Sequence, residues 1–264
     1  MVAMQQSLND VVDLESHPLS DREFRLNCRR ALADDGVLVL TNFLLPAAVA
    51  SIKAEGEANQ HVAYYTADSH NIYIDDPDPK FPADHSRNRE VDSSKGCITT
   101  DQIPAGSALR TLYESPEFRD FLCAVLEVDE LHEYADPLSS INIHYASDGQ
   151  ELGWHYDKSS FAITLMIQKP QGGGVFEYVK DVRDADAGET NPEYSGRILD
   201  GEVTPERLAM EPGDLVLFRG RNSMHRVTPA VGERPRMLVV LAYNTEPGIA
   251  LSEAARMTFF GRLE

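Results

Sequence analysis

Two short motifs in this chain carry side chains that bind metals. The first, WHYD, contains His155 and Asp157, and the second, SMHRVTP, contains His225. His155 and Asp157 are separated by one residue, so an extended backbone directs both side chains to the same face. A histidine on a neighbouring strand would complete a cap of two imidazoles and one carboxylate. This ligand set, which leaves three octahedral positions free for a co-substrate and O₂, is typical of non-haem Fe(II) oxygenases and predicts that His155, Asp157 and His225 bind a catalytic iron.

The sequence around His225 adds a second signal to a His-x-Asp pair that alone occurs by chance in many chains. The turn EPGD at 211–214 leads into the apolar run LVLF at 215–218, shortly before His225. The next strand pattern, RMLVVLAY, begins at Arg236. A guanidinium can form two hydrogen bonds with a carboxylate, so Arg236 suits the distal carboxylate of 2-oxoglutarate. The combined pattern predicts an iron site with 2-oxoglutarate as co-substrate.

Two further strand positions are candidates for contacts with small molecules. The pattern INIHY alternates, so Asn142 and His144 share one face and would lie near the co-substrate or substrate if that face points inward. Both are therefore candidate cofactor-binding residues. Buried polar groups of this kind can equally be satisfied structural groups, and the two interpretations stay open. The same parity puts Asn244 on the face of Arg236, where it could reach the substrate end of the cavity.

The stretch from Asn142 to Asn244 resembles the core of Fe(II)/2-oxoglutarate dioxygenases. Its likeness rests on the His-x-Asp pair, the Pro-Gly-Asp turn and the His-Arg-Val-Thr-Pro segment. Several stretches resemble a smaller group within that superfamily, the amino-acid hydroxylase relatives of the lysine radical halogenases. They are DPL at 136–138, GWHYD at 153–157, FAITL at 161–165 and ARMTF at 255–259, together with PADH at 82–85 and KG at 95–96.

The resemblance implies a mainly β fold with helical additions (α+β), in which N-terminal helices flank a double-stranded β-helix of the jelly-roll, cupin-like type. We expect one domain over residues 1–264, a length that can bury a sizeable core. Helical support and a lid would occupy about 1–135, the β-helix core about 136–246, and a C-terminal segment about 247–264. The implied cofactor is Fe(II), with 2-oxoglutarate and O₂ as co-substrates. The implied reaction is hydroxylation of an unactivated aliphatic C–H with release of succinate and CO₂.

One residue separates this chain from the halogenases it resembles. In those enzymes a small residue replaces the carboxylate ligand and opens a coordination position for chloride. Asp157 fills that position here, so hydroxylation is favoured over halogenation. The substrate that the resemblance implies is a free amino acid, above all a basic one such as lysine.

Other functions remain open at this point. Hydroxylation of protein-bound or carrier-bound amino acids is one alternative, and a non-catalytic cupin-like protein that binds a small ligand is another. The presence of His155, Asp157 and His225 together with Arg236 favours an enzyme, because a binding module needs no iron triad with a keto-acid anchor.

Composition argues against nucleic acid as a partner. The chain has 24 Lys and Arg against 43 Asp and Glu, a net charge of -19, which would repel a phosphate backbone. Such acidity is compatible with a cationic substrate and equally with simple solubility. No apolar run approaches the roughly 18 residues of a membrane span, and the polar start at 1–10 lacks a signal-peptide core, so we expect a cytoplasmic protein without a membrane partner.

Helices are predicted after Ser20, after Pro46 and after Ser115, and a short one after Pro205 within an exposed acidic stretch. The three cysteines are widely spaced and predict neither a disulfide framework nor a thiolate zinc site. The segment 249–264 should begin as a helix. It could fold over the site or pack on a partner subunit, so a homodimer is one candidate assembly.

The polar stretch from about 61 to 103 predicts a long irregular segment. As a lid, it would supply Arg87 or Arg89 to hold the α-carboxylate of a substrate. As a solvated loop, its charges would contact nothing, and both interpretations are consistent with the sequence.

Overall fold

The computed structural model describes residues 6–264, so the first half of the polar start at 1–10 lies outside the described residues. Within that range the chain forms six α-helices and thirteen strands. The helices are α1 (Arg22–Asp35), α2 (Pro46–Asn59), α3 (Ala108–Glu114), α4 (Pro116–Leu126), α5 (Pro192–Leu199) and α6 (Glu253–Phe260). The strands are β1 (Val37–Leu40), β2 (Tyr64–Asn71), β3 (Glu90–Ile98), β4 (Ile141–Ala146), β5 (Leu152–His155), β6 (Ala162–Gln168), β7 (Gly172–Gly173), β8 (Phe176–Val179), β9 (Glu206–Leu208), β10 (Leu215–Phe218), β11 (Met224–Val227), β12 (Ala230–Val231) and β13 (Arg236–Leu241).

Eleven strands form one curled antiparallel sheet in the order β1-β10-β6-β13-β4-β3-β5-β11-β8-β9, with β2 paired to β3. The strand β3 joins the two walls of the curl. It pairs with β4 through Gly96, Cys97 and Ile98, and with β5 through Ser93. The small strands β7 and β12 pair separately. This architecture confirms the predicted α+β fold with a jelly-roll, cupin-like core.

The apolar core lies between one wall of the sheet and the N-terminal helices. Side chains alternate along β13, so Met237, Val239 and Leu241 are buried with the helices, whereas Arg236 and Leu238 face the interior of the curl. The helix predicted after Ser115 is α4, and its apolar stripe is buried in this core, at Phe118, Phe121, Leu122, Val125 and Leu126. Burial of each such side chain contributes about 1.5–3 kcal/mol, so the helices hold the wall from behind.

The polar stretch predicted to be irregular is largely a hairpin. Strands β2 and β3 pair over their full length, from Tyr64 with Cys97 to Asn71 with Glu90. Much of β2 is exposed on both faces, and β2 has a neighbouring strand on one side only. The alternation of apolar and polar residues that reveals a half-buried strand is therefore missing from its sequence.

Helix boundaries differ from the predictions in two places. Asp21, and not Ser20, caps α1: its side chain accepts a hydrogen bond from the Phe24 N–H, whereas the Ser20 hydroxyl donates to Glu117. The helix predicted after Pro205 is wrong, since 206–208 form β9 and pair with β8.

The C-terminal segment folds back on its own chain. Helix α6 contacts β2 and β3, and Ser252 caps its first turn. The N–H of Leu251 donates to Asp136 Oδ2, and Arg262 pairs with Asp101, so both ends of the segment are fixed. In residues 6–264, no helix has both the length and the apolar character that crossing a membrane requires.

Candidate metal centre and co-substrate cavity

The two histidines of the predicted triad face each other across a pair of strands. His155 ends β5, His225 lies in β11, and the two are direct cross-strand partners. Asp157 follows β5, and its Oδ1 lies 3.8 Å from His155 Nε2 and 3.5 Å from His225 Nε2. One ligand atom from each residue lies within 4.8 Å of the others, a spacing that suits a single metal ion.

Hydrogen bonds to the backbone set the tautomer of both imidazoles. His155 Nδ1 lies 2.8 Å from the carbonyl oxygen of Gly153, and His225 Nδ1 lies 3.0 Å from that of Ser223. A carbonyl only accepts, so each Nδ1 carries the proton and each Nε2 keeps its lone pair. Both lone pairs point to the space beside Asp157.

The carboxylate of Asp157 is half-buried and only partly satisfied. The backbone N–H of Asp157 donates to the Gly220 carbonyl at 3.0 Å, whereas the buried Oδ2 atom has no hydrogen-bond partner in the described chain. Burial raises the pKa of Asp157, but His225, His155 and Lys95 outweigh that effect, so the pKa falls below its ordinary value. Burial, followed by the charge of His225, lowers the pKa of His155 to about 3. An ionised carboxylate beside the neutral imidazole of His155 suits the binding of a divalent metal.

Gly220 and two aromatic rings shape the surroundings of the triad. A Cβ at Gly220 would overlap Asp157 Oδ2 and lie 2.9 Å from His225 Cε1, so only glycine leaves room for the carboxylate. The rings of Phe176 and Phe218 lie 5.5 and 4.9 Å from the His225 ring. These contacts restrict the orientation of the ligand side chains before any metal binds.

Arg236 lies in the same cavity as the triad, with its charge unmatched. Its side chain is buried, and its Nε and Nη2 have no hydrogen-bond partner in the described chain. Burial lowers the pKa of the guanidinium to about 10, so it stays charged at neutral pH. The cavity, with a volume of about 290 Å³, also contains the apolar side chains of Leu208, Met210 and Val216. Two unpaired N–H donors in an apolar recess fit a carboxylate, as the distal end of 2-oxoglutarate requires.

Comparison with known proteins identifies the family. A family model described as Halogenase D matches residues 21–257. The chain belongs to the Halogenase D family. No curated protein sequence matches it.

Solved structures share the fold at low sequence identity. The epimerase SnoN from nogalamycin biosynthesis, described as non-haem and α-ketoglutarate dependent, is 12% identical, with 84% of each chain covered and a TM-score of 0.57. An oxidoreductase of the 2OG-Fe(II) oxygenase family from Burkholderia pseudomallei is 14% identical, with 85% of this chain and 92% of that chain covered and a TM-score of 0.54. With the triad, the family confirms the predictions of an enzyme of this superfamily and of Fe(II) and 2-oxoglutarate as cofactors.

The two polar residues of β4 have different positions in this Halogenase D family member. His144 lines the cavity, and burial lowers the pKa of its imidazole well below the ordinary value, an effect that Lys95 and Arg236 reinforce. Asn142 does not line the cavity, and its Nδ2 donates to the carbonyl oxygens of Leu138 and Ile141. These hydrogen bonds favour a structural role for Asn142 over contact with a small molecule.

The three candidate substrate residues lie outside the cavity lining. Arg89 pairs with Asp200, and the Arg87 guanidinium lies over the Tyr73 ring, 4.8 Å from its centroid. Asn244 forms an isolated bridge with His132 where the chain leaves β13. Both arginines lie in the loop between β2 and β3, and their role in holding a substrate carboxylate stays a prediction.

Several residues that line the cavity have no role in the predictions from sequence. They include Lys95, Tyr134, Glu151 and Phe161. Lys95 lies on β3 and Glu151 directly precedes β5. Their place at the cavity depends on the pairing of β3 with β5, which the sequence does not show. The one available signal was the resemblance already noted at 95–96 and 161–165.

Proposed function

We propose that this protein hydroxylates an unactivated aliphatic C–H of a free amino acid, with a basic amino acid such as lysine as the favoured substrate, and releases succinate and CO₂. The observation that carries the proposal is a complete His-Asp-His triad in one cavity with the unpaired guanidinium of Arg236. Membership of the Halogenase D family supports the chemistry, and the intact carboxylate supports hydroxylation within it.

Each residue has a defined task in this proposal. His155, Asp157 and His225 hold the metal through Nε2, a carboxylate oxygen and Nε2. Arg236 binds the distal carboxylate of 2-oxoglutarate and orients the co-substrate. Bound Fe(II), with 2-oxoglutarate and O₂, supplies the oxidant for C–H cleavage. Apolar side chains around the cavity, among them Phe161, exclude water and hold the alkyl chain of the substrate.

Asp157 is the residue that favours hydroxylation over halogenation. Its carboxylate lies between both histidine Nε2 atoms, at the position a third ligand would take. A halide would need that position. With Oδ1 directed at the metal position, the carboxylate leaves the remaining positions to 2-oxoglutarate and O₂.

The size and charge of the cavity support a small cationic substrate. A volume of about 290 Å³ lies at the low end for small-molecule sites, which favours a free amino acid over a large conjugate. Among the described residues, Glu151 is the only carboxylate besides Asp157 that lines the cavity. It can therefore pair with an ammonium group of the substrate.

The test is aerobic incubation of the purified protein with Fe(II), ascorbate, 2-oxoglutarate and a pool of free amino acids. Mass spectrometry would follow succinate and any amino acid that gains one oxygen atom. An oxygenated basic amino acid formed with succinate, and absent with His225→Ala, is the expected result. Succinate without an oxygenated amino acid would contradict the substrate class, and iron-loaded protein that yields no succinate would contradict the enzyme.

A further inference from the structure

A second cation lies in the cavity, on the opposite side of β4 from Arg236. Lys95 projects from β3 and lines the same cavity as the triad. Within residues 6–264 its Nζ forms no ion pair and no hydrogen bond, and its recorded partner is the Phe259 ring on α6, 5.6 Å from Nζ to the centroid. Such a cation–π contact offsets only part of the loss of hydration.

The Lys95 ammonium group is partly removed from water and has no counter-ion among the described residues of the cavity wall. Desolvation lowers the pKa of Lys95, while Cys97 and Asp157 act in the opposite direction. A ligand anion at this point would offset the loss of hydration. The anion that pairs with Lys95 must therefore come from a ligand, because the described chain provides none.

The order of the strands separates the two cations by the width of β4. In the pairing register Cys97, His144 and Leu238 lie side by side on β3, β4 and β13. Lys95 and Arg236 each lie two residues before this row on their own strand, so they flank β4 from its two sides, and both lower the pKa of His144 on that strand. Arg236 is assigned to the distal carboxylate of 2-oxoglutarate, whose other carboxylate is used for chelation. Lys95 is left for an anion of a second molecule.

We propose that Lys95 binds the free carboxylate of the substrate and so restricts the enzyme to unconjugated acids. The assignment deepens the proposed function and rests on it. An amino acid bound through an amide or a thioester has no carboxylate and would leave the Lys95 ammonium unpaired. Such a ligand loses affinity through the desolvated cation it fails to pair. With Glu151 in the same cavity, the substrate end offers one cation and one anion to a zwitterion.

The experiment is calorimetric titration of the anaerobic protein, loaded with Fe(II) and 2-oxoglutarate, with L-lysine, L-ornithine, L-arginine and L-leucine and with the amide of each. The wild-type protein should bind at least one acid about tenfold or more tightly than its amide. Lys95→Met should lose this preference, and Lys95→Arg should keep it. Affinity for 2-oxoglutarate should be unchanged in Lys95→Met, because that co-substrate uses Arg236.

Thermal unfolding of the same variants separates a binding role from a structural one. Lys95→Met removes a partly desolvated charge that has no counter-ion, so the protein without ligand should be at least as stable as the wild type. Equal binding of acid and amide by the wild type, or an intact preference in Lys95→Met, would overturn the assignment. Weaker 2-oxoglutarate binding in Lys95→Met would also overturn it, by making Lys95 a co-substrate anchor. None of these results contradicts the proposed dioxygenase activity. Formation of succinate by the wild-type protein without an added amino acid tests that activity separately.

Discussion

His155 and His225 are cross-strand partners whose imidazole rings are oriented by the same kind of backbone hydrogen bond. Each imidazole donates through Nδ1 to the carbonyl two residues earlier in the chain, at 2.8 Å for His155 and 3.0 Å for His225. The two rings lie 4.2 Å apart between centroids. Two strands thus present two equivalent Nε2 atoms to one point, and the loop after β5 adds Asp157.

Gly220→Ala should weaken metal binding without unfolding the chain. The added Cβ would overlap Asp157 Oδ2 and displace the carboxylate. We expect affinity for Fe(II), measured anaerobically by calorimetry, to fall by about 10- to 100-fold. Gly106→Ala is the matched control, since a Cβ there meets nothing within 4 Å. Equal metal affinity in both variants would show that the carboxylate does not need this space.

Arg236→Met should abolish tight binding of 2-oxoglutarate. Removal of the buried cation leaves the distal carboxylate unpaired, so affinity should fall by about 30-fold or more, or about 2 kcal/mol. Stability without ligand should not fall, because the guanidinium Nε and Nη2 have no partners to lose. Arg234→Met is the control: Arg234 donates to the carbonyls of Lys169 and Pro170 and does not line the cavity. If Arg234→Met weakens 2-oxoglutarate binding more than Arg236→Met does, Arg234 is the residue that binds the distal carboxylate.

A buried carboxylate on β8, the neighbour of the strand that carries His225, should depend on one of its two arginine partners more than on the other. Glu177 is buried, and it accepts from Arg226 at 2.8 Å and from Arg207 at 3.0 Å. Arg226 also lies over Trp154, whereas the Arg207 side chain is 74% exposed. Arg226→Met should lower the free energy of unfolding in urea by about 2 kcal/mol, and Arg207→Met by less than about 1 kcal/mol. Equal losses would mean that exposure does not decide the strength of these pairs.

Acid should release the C-terminal segment. Burial raises the pKa of Asp136, but hydrogen bonds from Ser139, Leu251 and Leu138 and the charge of Arg256 outweigh it, and the pKa falls below its ordinary value of 3.8. A lowered pKa means that the stabilisation is present above pH 3.8 and is lost as the pH falls through the folded-state value. Hydrogen exchange at 249–264 should therefore accelerate, beyond the intrinsic pH effect, below about pH 4.

The matched variants for this pH effect are Asp136→Asn and Asp129→Asn. Asp136→Asn should expose the segment at every pH and remove the additional acid response. Asp129 is exposed and has no recorded contact with the segment, so its variant should behave as the wild type does. An acid response that survives Asp136→Asn would place its origin elsewhere.

The sequence was sufficient to predict the metal centre because the signals are local. A one-residue spacing directs His155 and Asp157 to one side, and the position of Arg236 at a strand start follows from the pattern after it. The face of Asn142 was also inferred from strand parity, but parity does not say how far along the interior a residue lies. Asn142 is engaged with the backbone beyond the lining of the cavity.

The substrate end could not be predicted because it depends on pairing between distant segments. Lys95 reaches the cavity only because β3 pairs with both β4 and β5. The polar, exposed β2 lacks the alternation that would reveal β3 as its partner. The sequence of 61–103 therefore predicts an irregular segment in which Arg87 and Arg89 are the candidates for binding a substrate. Their side chains are used in contacts with Tyr73 and Asp200.

The double pairing of β3 also has a kinetic consequence. Cys97 must find His144, and Ser93 must find Leu152, before the two walls of the sheet are joined. Contacts between residues so distant in sequence slow folding, because the entropy of closing the chain is lost before the contacts form. The intervening helices α3 and α4 can form earlier, from local contacts. We therefore expect the capacity to bind iron to return in the slowest phase of refolding, together with the closure of the curl.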